Sequence, residues 1–278
     1  MKEYFSLQEI DEVADAVRKY TSYTPEIGII LGSGLGGLAD EIEAPDLIYY
    51  KDLPYWPVST VQGHVGRLVI GKLEEKIVLV MQGRSHYYEG YSMAEVTLPV
   101  RVMQRLGVKT LIVTNAAGAV NEKFIPGDVM FLSDHISLMA MGGLNPLRGP
   151  NIDELGERFP DMSQPYNHEY RKLAQRVASE ADIEAYEGVY VCLAGPSFES
   201  PADLRFLKVI GADAVGMSTV PEVIVARHGG TQVLGISGIS NKANMDGSTI
   251  TTHEEVLEAG KLLVPKMTAI IRGFIQKF

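Results

Sequence analysis

Six apolar runs in this chain stop in the same way. IIL runs into GSG at Gly32, VLVMQ into GRSH at Gly83 and LIV into TNAAG at Thr114. YVCL runs into AGPSFES at Ala194, DAV into GMSTVPE at Gly216 and VLGI into SGISNK at Ser237. A run that is apolar along its whole length has both faces buried, which is the signature of strands covered on both sides by helices. Segments with helical spacing lie between the runs. The alternation predicts an α/β fold with a central mixed, largely parallel β-sheet flanked by helices. The mixed character comes from RLVIGKLEEKIVLVMQ, which reads as two strands joined by a turn at Glu74–Glu75. In such sheets ligands bind at the carboxyl ends of the strands, where the small and polar residues stand here.

The helices are marked by spacing and caps. Leu7, Ile10, Val13, Ala14 and Val17 recur at helical intervals after Ser6, with Glu9 completing a capping box. A helix from Met93 to Leu106 ends at Gly107, and a short helix is expected at Leu38–Ile42. Further helices are expected near 166–181, 202–210, 221–228 and 253–276. The segment from Met141 to Asp161 is rich in Gly, Pro and Asn and reads as a loop carrying Phe159. No linker, composition shift or repeat divides the chain, so 1–278 is expected to form one domain; 278 residues that are 46% hydrophobic bury a large core.

Charge and cysteine usage exclude some functions. A net charge of −10 argues against nucleic acid or an anionic membrane as the main partner, while leaving room for a small anion in a local pocket. The single cysteine, Cys192, sits in GVYVCLAG and reads as an inert core thiol in a reducing compartment. No apolar stretch is long enough to span a bilayer, and the acidic, amphipathic N-terminus is unlike a signal peptide, so the cytoplasm is expected. No histidine, cysteine or carboxylate cluster has metal-ligand spacing, and no G-x-S-x-G elbow is present.

Four stretches carry chemistry. GSGLGG places Gly32, Gly34 and Gly37 after a strand, a dinucleotide fingerprint if Asp52 serves the ribose; it fits a phosphate-holding loop with Ser33, or a plain tight turn, equally well. In GRSHYYEGY, a continuing strand puts Arg84, His86 and Tyr88 on one face, an arginine fork and an imidazole suited to an anion. The alternative is a solvated strand end with an internal Arg–Glu pair. Phe198–Glu199 and Asn241–Lys242 supply an aromatic face, a carboxylate and an amide, the parts that hold a polar heterocycle. Helix capping explains Ser200 before Pro201 but not Glu199. His253 opens the last helix beside Glu254 and Glu255, and His64 lies in a glycine-flanked loop that suits a gate or a turn.

In order along the chain, GSGLGG, GHVGRL, QGRSHYYEGY, VTNAAGAVN, FIPGDVM, NPLRGPN, AGPSFES, GADAVGMSTVPEVIVARH, SNKANMDG and HEEVLEAGK resemble the trimeric purine nucleoside phosphorylases from about residue 28 to 261. The resemblance implies cleavage of purine (deoxy)ribonucleosides by inorganic phosphate, without metal or other cofactor, in a homotrimer serving purine salvage. It implies phosphate binding by Ser33, Arg84, His86, Ser218 and the backbone N–H of Ala116, with His64 closing over the anion. Tyr88, Met217 and His253 would line the ribose, and Phe159 would reach a neighbouring subunit's ribose site. Phe198, Glu199, Asn241 and Lys242 would hold the base, with His86, Glu199 and Asn241 closest to the chemistry. Asparagine at 241 goes in the family with inosine and guanosine, whereas a branch acting on methylthioadenosine carries aspartate. The run GSTITT before His253 matches no family motif, and Gln62 stands where the family pattern has proline.

Two other functions are weighed against this one. A nicotinamide-dependent oxidoreductase rests on GSGLGG alone. A nucleoside-binding protein without catalysis would keep Phe198, Glu199 and Asn241 but has no use for Arg84, His86 and Ser218.

Overall fold

In the first strand, β1 (Ile27–Leu31), neighbouring residues serve two different cores. Ile30 joins the cluster that includes Leu79 and Leu111, whereas Ile29 and Leu31 join the one that includes Val80 and Ile112. Alternation on a pleated strand requires this, and it needs apolar cover on both faces. The computed structural model describes residues 2–60, 65–243, 245–248, 250 and 252–278.

Helices supply the cover. α1 (Leu7–Arg18), capped by Ser6 and Glu9 as its sequence predicts, buries Ile10, Val13, Ala14 and Val17 in the first cluster. α2 (Met93–Leu106), ended by Gly107, packs beside it. A four-residue α3 (Leu138–Met141) follows. α4 (His168–Glu180) lies on the opposite face, and α5 (Pro201–Val209) is capped by Ser200 and Asp203. α6 (Val220–His228) packs on α2, and α7 (His253–Lys277) packs on α4. From α7, Leu263, Met267, Ile270 and Phe274 enter the second cluster. Each fully buried side chain of this kind contributes about 1.5–3 kcal/mol by leaving water.

The remaining strands are β2 (Glu43–Tyr49), β3 (Arg67–Leu73), β4 (Lys76–Gln82) and β5 (Thr110–Ala119). They continue with β6 (Val129–Ser137), β7 (Ala185–Cys192), β8 (Ala214–Gly216) and β9 (Gln232–Lys242). The sheet is mixed: five ladders among the described residues are parallel and four antiparallel. The β3–β4 hairpin turns at Glu74 and Glu75, both at positive φ, as expected for a two-residue turn.

Three features depart from the sequence expectations. β2 is an edge strand that the sequence does not announce, because EAPDLIY carries proline and charge and pairs on one side only. The helix expected at Leu38–Ile42 is a 3₁₀ turn at Gly36–Glu41. The sheet also closes on itself. The long β5 pairs with β1 through residues 110–113 and with β8 at Gly118 and Ala119, and it runs parallel to β9 throughout. β9 pairs with β6, β6 with β7 and β7 with β8, so five strands form a small barrel and the other four extend it. No helix among the described residues is long and apolar enough to cross a membrane.

Candidate active site

A cavity of about 350 Å³ opens at the carboxyl ends of β1, β4, β5, β8 and β9. Ser33, Arg84, His86, Tyr88, Ala116, Phe198, Glu199, Met217, Ser218 and Asn241 all line it. Ten residues singled out from six separate stretches thus share one wall. Gly32, Asn115, Gly118, Pro196, Val215, Gly216, Ser240 and Val256 complete it.

The glycine loop is shaped by a close approach. A Cβ on Gly32 would stand 2.8 Å from Asn115 Cα and 2.9 Å from the Thr114 carbonyl oxygen. Only glycine lets β1 and β5 converge so tightly, and that brings Ser33 beside Ala116 on the cavity wall. The loop leads into the 3₁₀ turn, not into the helix that a dinucleotide fingerprint requires, and Asp52 is an exposed residue outside the cavity.

GRSHYYEGY does not continue as a strand. β4 ends at Gln82, Gly83 takes φ 105°, and residues 87–89 form a 3₁₀ turn. Strand alternation therefore does not place Arg84, His86 and Tyr88; the turn does. It folds Glu89 back so that its Oε1 accepts from the His86 backbone N–H at 2.7 Å and lies 3.0 Å from His86 Nδ1. Burial alone would raise the Glu89 carboxyl, but hydrogen bonds from His86 and Thr60 hold it at about 2. An ionised carboxylate only accepts, so the His86 proton sits on Nδ1. The His86 ring stacks on Tyr88, centroids 4.7 Å apart. Burial, and secondarily the Glu89 charge, push the Tyr88 hydroxyl up to about 12.

Arg84 is 2% exposed. Its two terminal nitrogens are committed to protein: Nη1 donates to Thr219 Oγ1 at 3.0 Å and to Glu222 Oε1 at 3.2 Å, and Nη2 to the Ile30 and Thr114 carbonyls. The guanidinium is therefore a charge set into the cavity floor and not a two-pronged fork offered to a ligand. Thr219, the residue after Ser218, takes φ 76°, a conformation costly for a β-branched side chain, and its hydroxyl also accepts from Asn115 Nδ2 at 2.9 Å.

At the other end, burial raises the Glu199 carboxyl from its ordinary value, with Asp203 adding to the effect. Asn241 and Ser240 both face the cavity although they are neighbours in a strand. A bulge explains this: Ala117 pairs with Ile239 and Gly118 with Asn241, so Ser240 is the extra residue. The Ser240 hydroxyl lies 3.2 Å from the Ala117 carbonyl oxygen and 2.8 Å from Asn241 Oδ1; donating across the shorter contact, it orients the amide with Nδ2 as the donor left for a ligand.

Lys242, expected beside the base, does not line this cavity. It points away from the cavity and lines a separate cleft with Glu122 and Asp246, because alternation resumes after the bulge. Phe159 is 86% exposed and does not line this chain's cavity. His64 and the side chain of His253 lie outside the described residues. Cys192 is fully buried, and burial pushes its thiol up. Ser240, Thr219 and Glu222 carry no signal in the sequence, whereas Glu89 can orient His86 only where the chain turns after Tyr88, as it does here. Only the offset from His86 to Glu89, one turn, was a local signal.

The chain matches the phosphorylase superfamily model over residues 26–276. It is 54% identical over 267 residues to purine nucleoside phosphorylase 1 of Geobacillus stearothermophilus, covering 96% of each chain. Crystal structures of Schistosoma mansoni purine nucleoside phosphorylase, one with adenosine and one with inosine, superpose with a TM-score of 0.94 at 44% and 43% identity. They cover 98% of this chain and 98% and 97% of theirs. A purine nucleoside phosphorylase complexed with ribose 1-phosphate superposes with a TM-score of 0.90 at 43% identity, covering 98% of this chain and 97% of that one.

Proposed function

The chain belongs to the purine nucleoside phosphorylases of the phosphorylase superfamily, and from that premise we propose how its cavity works. The protein is an enzyme that phosphorolyses purine nucleosides to the free base and a pentose 1-phosphate. This excludes the oxidoreductase suggested by GSGLGG. The observation that carries the residue roles is that one cavity joins an anion-suited end (Ser33, Arg84, His86, Ala116, Ser218) to an aromatic, carboxyl and amide end (Phe198, Glu199, Asn241).

Inorganic phosphate, the co-substrate, would sit among the hydroxyls of Ser33 and Ser218, the Ala116 N–H, Arg84 and His86. Tyr88 and Met217 would flank the sugar between the two ends. As the glycosidic bond breaks, positive charge grows on C1′ and the electron pair leaves with the base. The phosphate stabilises that cation and then bonds to C1′. Asn241 Nδ2, aimed by Ser240, would donate to purine N7 as negative charge develops there, and Glu199 would accept from N1–H. Groups fixed in advance against charge that appears only in the transition state lower the barrier selectively; losing one such donor costs roughly 10²-fold or more in rate. An amide at 241 favours 6-oxopurines, so inosine and guanosine are the preferred substrates.

We further propose a cytoplasmic homotrimer in which Phe159, an exposed ring on the 141–161 loop, completes a neighbouring subunit's sugar site. His64 and His253 would act over the phosphate and beside the sugar.

The deciding assay is hypoxanthine release from inosine with and without phosphate. Phosphate-dependent release is expected; no phosphate dependence with inosine or guanosine would overturn the assignment. Light scattering of the purified protein reads the assembly, and a monomer active at Phe159→Ala as at Phe159 would remove the subunit-sharing role.

A further inference from the structure

Glu222 does not line the cavity, yet it touches Arg84, which does. It is 2% exposed in the first turn of α6, and its Oε1 lies 3.2 Å from Arg84 Nη1. Arg84 is the one arginine or lysine among the described residues lining the cavity. The cavity's fixed cation is therefore backed by a fixed anion at contact distance. Glu222 Oε2 is buried without a hydrogen-bond partner. A carboxylate kept only for folding collects donors on both oxygens, and a buried ion pair is often replaceable by apolar groups at no cost in stability. This pair is half-satisfied and long-range, and it spans the two segments that carry Arg84 and Ser218.

We propose that Glu222 is a positioning residue that holds the Arg84 guanidinium and cancels part of its field, setting how tightly the cavity grips phosphate. The proposal rests on the phosphate role assigned to this end of the cavity. Thr219 belongs to the same device: its hydroxyl accepts from Arg84 and lies 3.2 Å from Ser218 Oγ, and its backbone occupies the N-cap position of α6, whose first turn carries Glu222. A phosphate here meets the guanidinium in front and the carboxylate behind it. During the reaction a phosphate oxygen gives an electron pair to C1′ while the C1′–N bond gives its pair to the base, so the negative charge on phosphate falls toward the transition state. A bare Arg84 would stabilise the free anion more than the reacting one, which lowers KM and kcat together. It would also hold the sugar phosphate product longer.

The test uses the full-length protein with inorganic phosphate as probe. Calorimetric binding of phosphate to the parent establishes the anion site; its absence would remove the phosphate role itself and is read before any variant. Glu222→Gln keeps the shape and removes the charge, and Glu222→Met removes the charge and the polar atoms. Either is expected to tighten the phosphate Kd and lower KM for phosphate about five- to twentyfold, with a lower kcat. Glu222→Asp retains the charge farther from Arg84 and should fall between parent and Gln. A purely structural Glu222 predicts a lower melting temperature with phosphate binding unchanged or weaker, and that result overturns the proposal. Should neither neutral variant fold, Asp decides: phosphate tighter than in the parent supports it, equal or weaker overturns it.

Discussion

His86 Nδ1 lies 3.0 Å from Glu89 Oε1, and the same carboxylate binds the backbone and hydroxyl of Thr60. One buried anion thus fixes a cavity histidine and ties down the segment that leads toward His64. Tyr91 strengthens the tie, donating to the Val58 carbonyl at 2.8 Å and accepting from its N–H at 3.1 Å.

Glu89→Gln removes the charge that keeps the His86 proton on Nδ1. The amide can present an N–H to that nitrogen and reverse the tautomer. We expect kcat/KM for phosphate to fall by up to about a hundredfold with little change in the inosine KM. Steady-state kinetics with each substrate varied reads the split, and an equal loss on both would mean general disruption.

The same carboxyl carries an acid-stability prediction. Its folded value of about 2 lies below its ordinary 4.5, so the stability it adds is complete above 4.5 and drains away as pH falls toward 2. Glu89→Gln should flatten this part of the stability profile, which chemical denaturation at a series of pH values would show.

Glu199 titrates in the other direction. Burial raises its carboxyl, so the acceptor needed for purine N1–H is lost on acidification at a higher pH than for an ordinary glutamate. The inosine KM should rise there while the phosphate KM holds steady. Glu199→Gln should abolish that limb of the profile.

Asn241→Asp replaces the donor left by the Ser240 hydrogen bond with a second acceptor. That suits a 6-amino group and repels a 6-oxo group. The inosine-to-adenosine ratio of kcat/KM should fall by at least about tenfold. An unchanged ratio would remove Asn241 from base recognition.

Gly32→Ala forces a methyl group to within 2.8 Å of the Asn115 backbone. Strand ends cannot yield as a flexible side chain can, so a cost of about 1–3 kcal/mol in stability is expected. Ser33 should move with them, raising the phosphate KM. Thermal unfolding and kinetics together check both effects.

Much of this molecule is written locally. The apolar runs of β1, β4 and β5, the Ser6–Glu9 box and the Gly107 stop follow from periodicity and capping, which act over a few residues. The chemistry at the strand ends is equally visible, since residue type alone shows which groups can bind an anion or a purine. The resemblance joined those groups into one site. What no local rule contains is how distant segments meet. Arg84 faces Glu222 across 138 positions, and β5 chooses β1, β8 and β9 as partners along one strand. The extra residue at Ser240, which turns Asn241 inward and Lys242 outward, exists only relative to the register of β5. The fold of Gly83–Glu89 likewise defeats strand alternation because a positive-φ glycine ends the ladder. Sequence specified the elements and the reactive groups, since these depend on short-range sterics and hydrophobic period. Tertiary packing decided their pairing and orientation, since those depend on which surfaces are buried together.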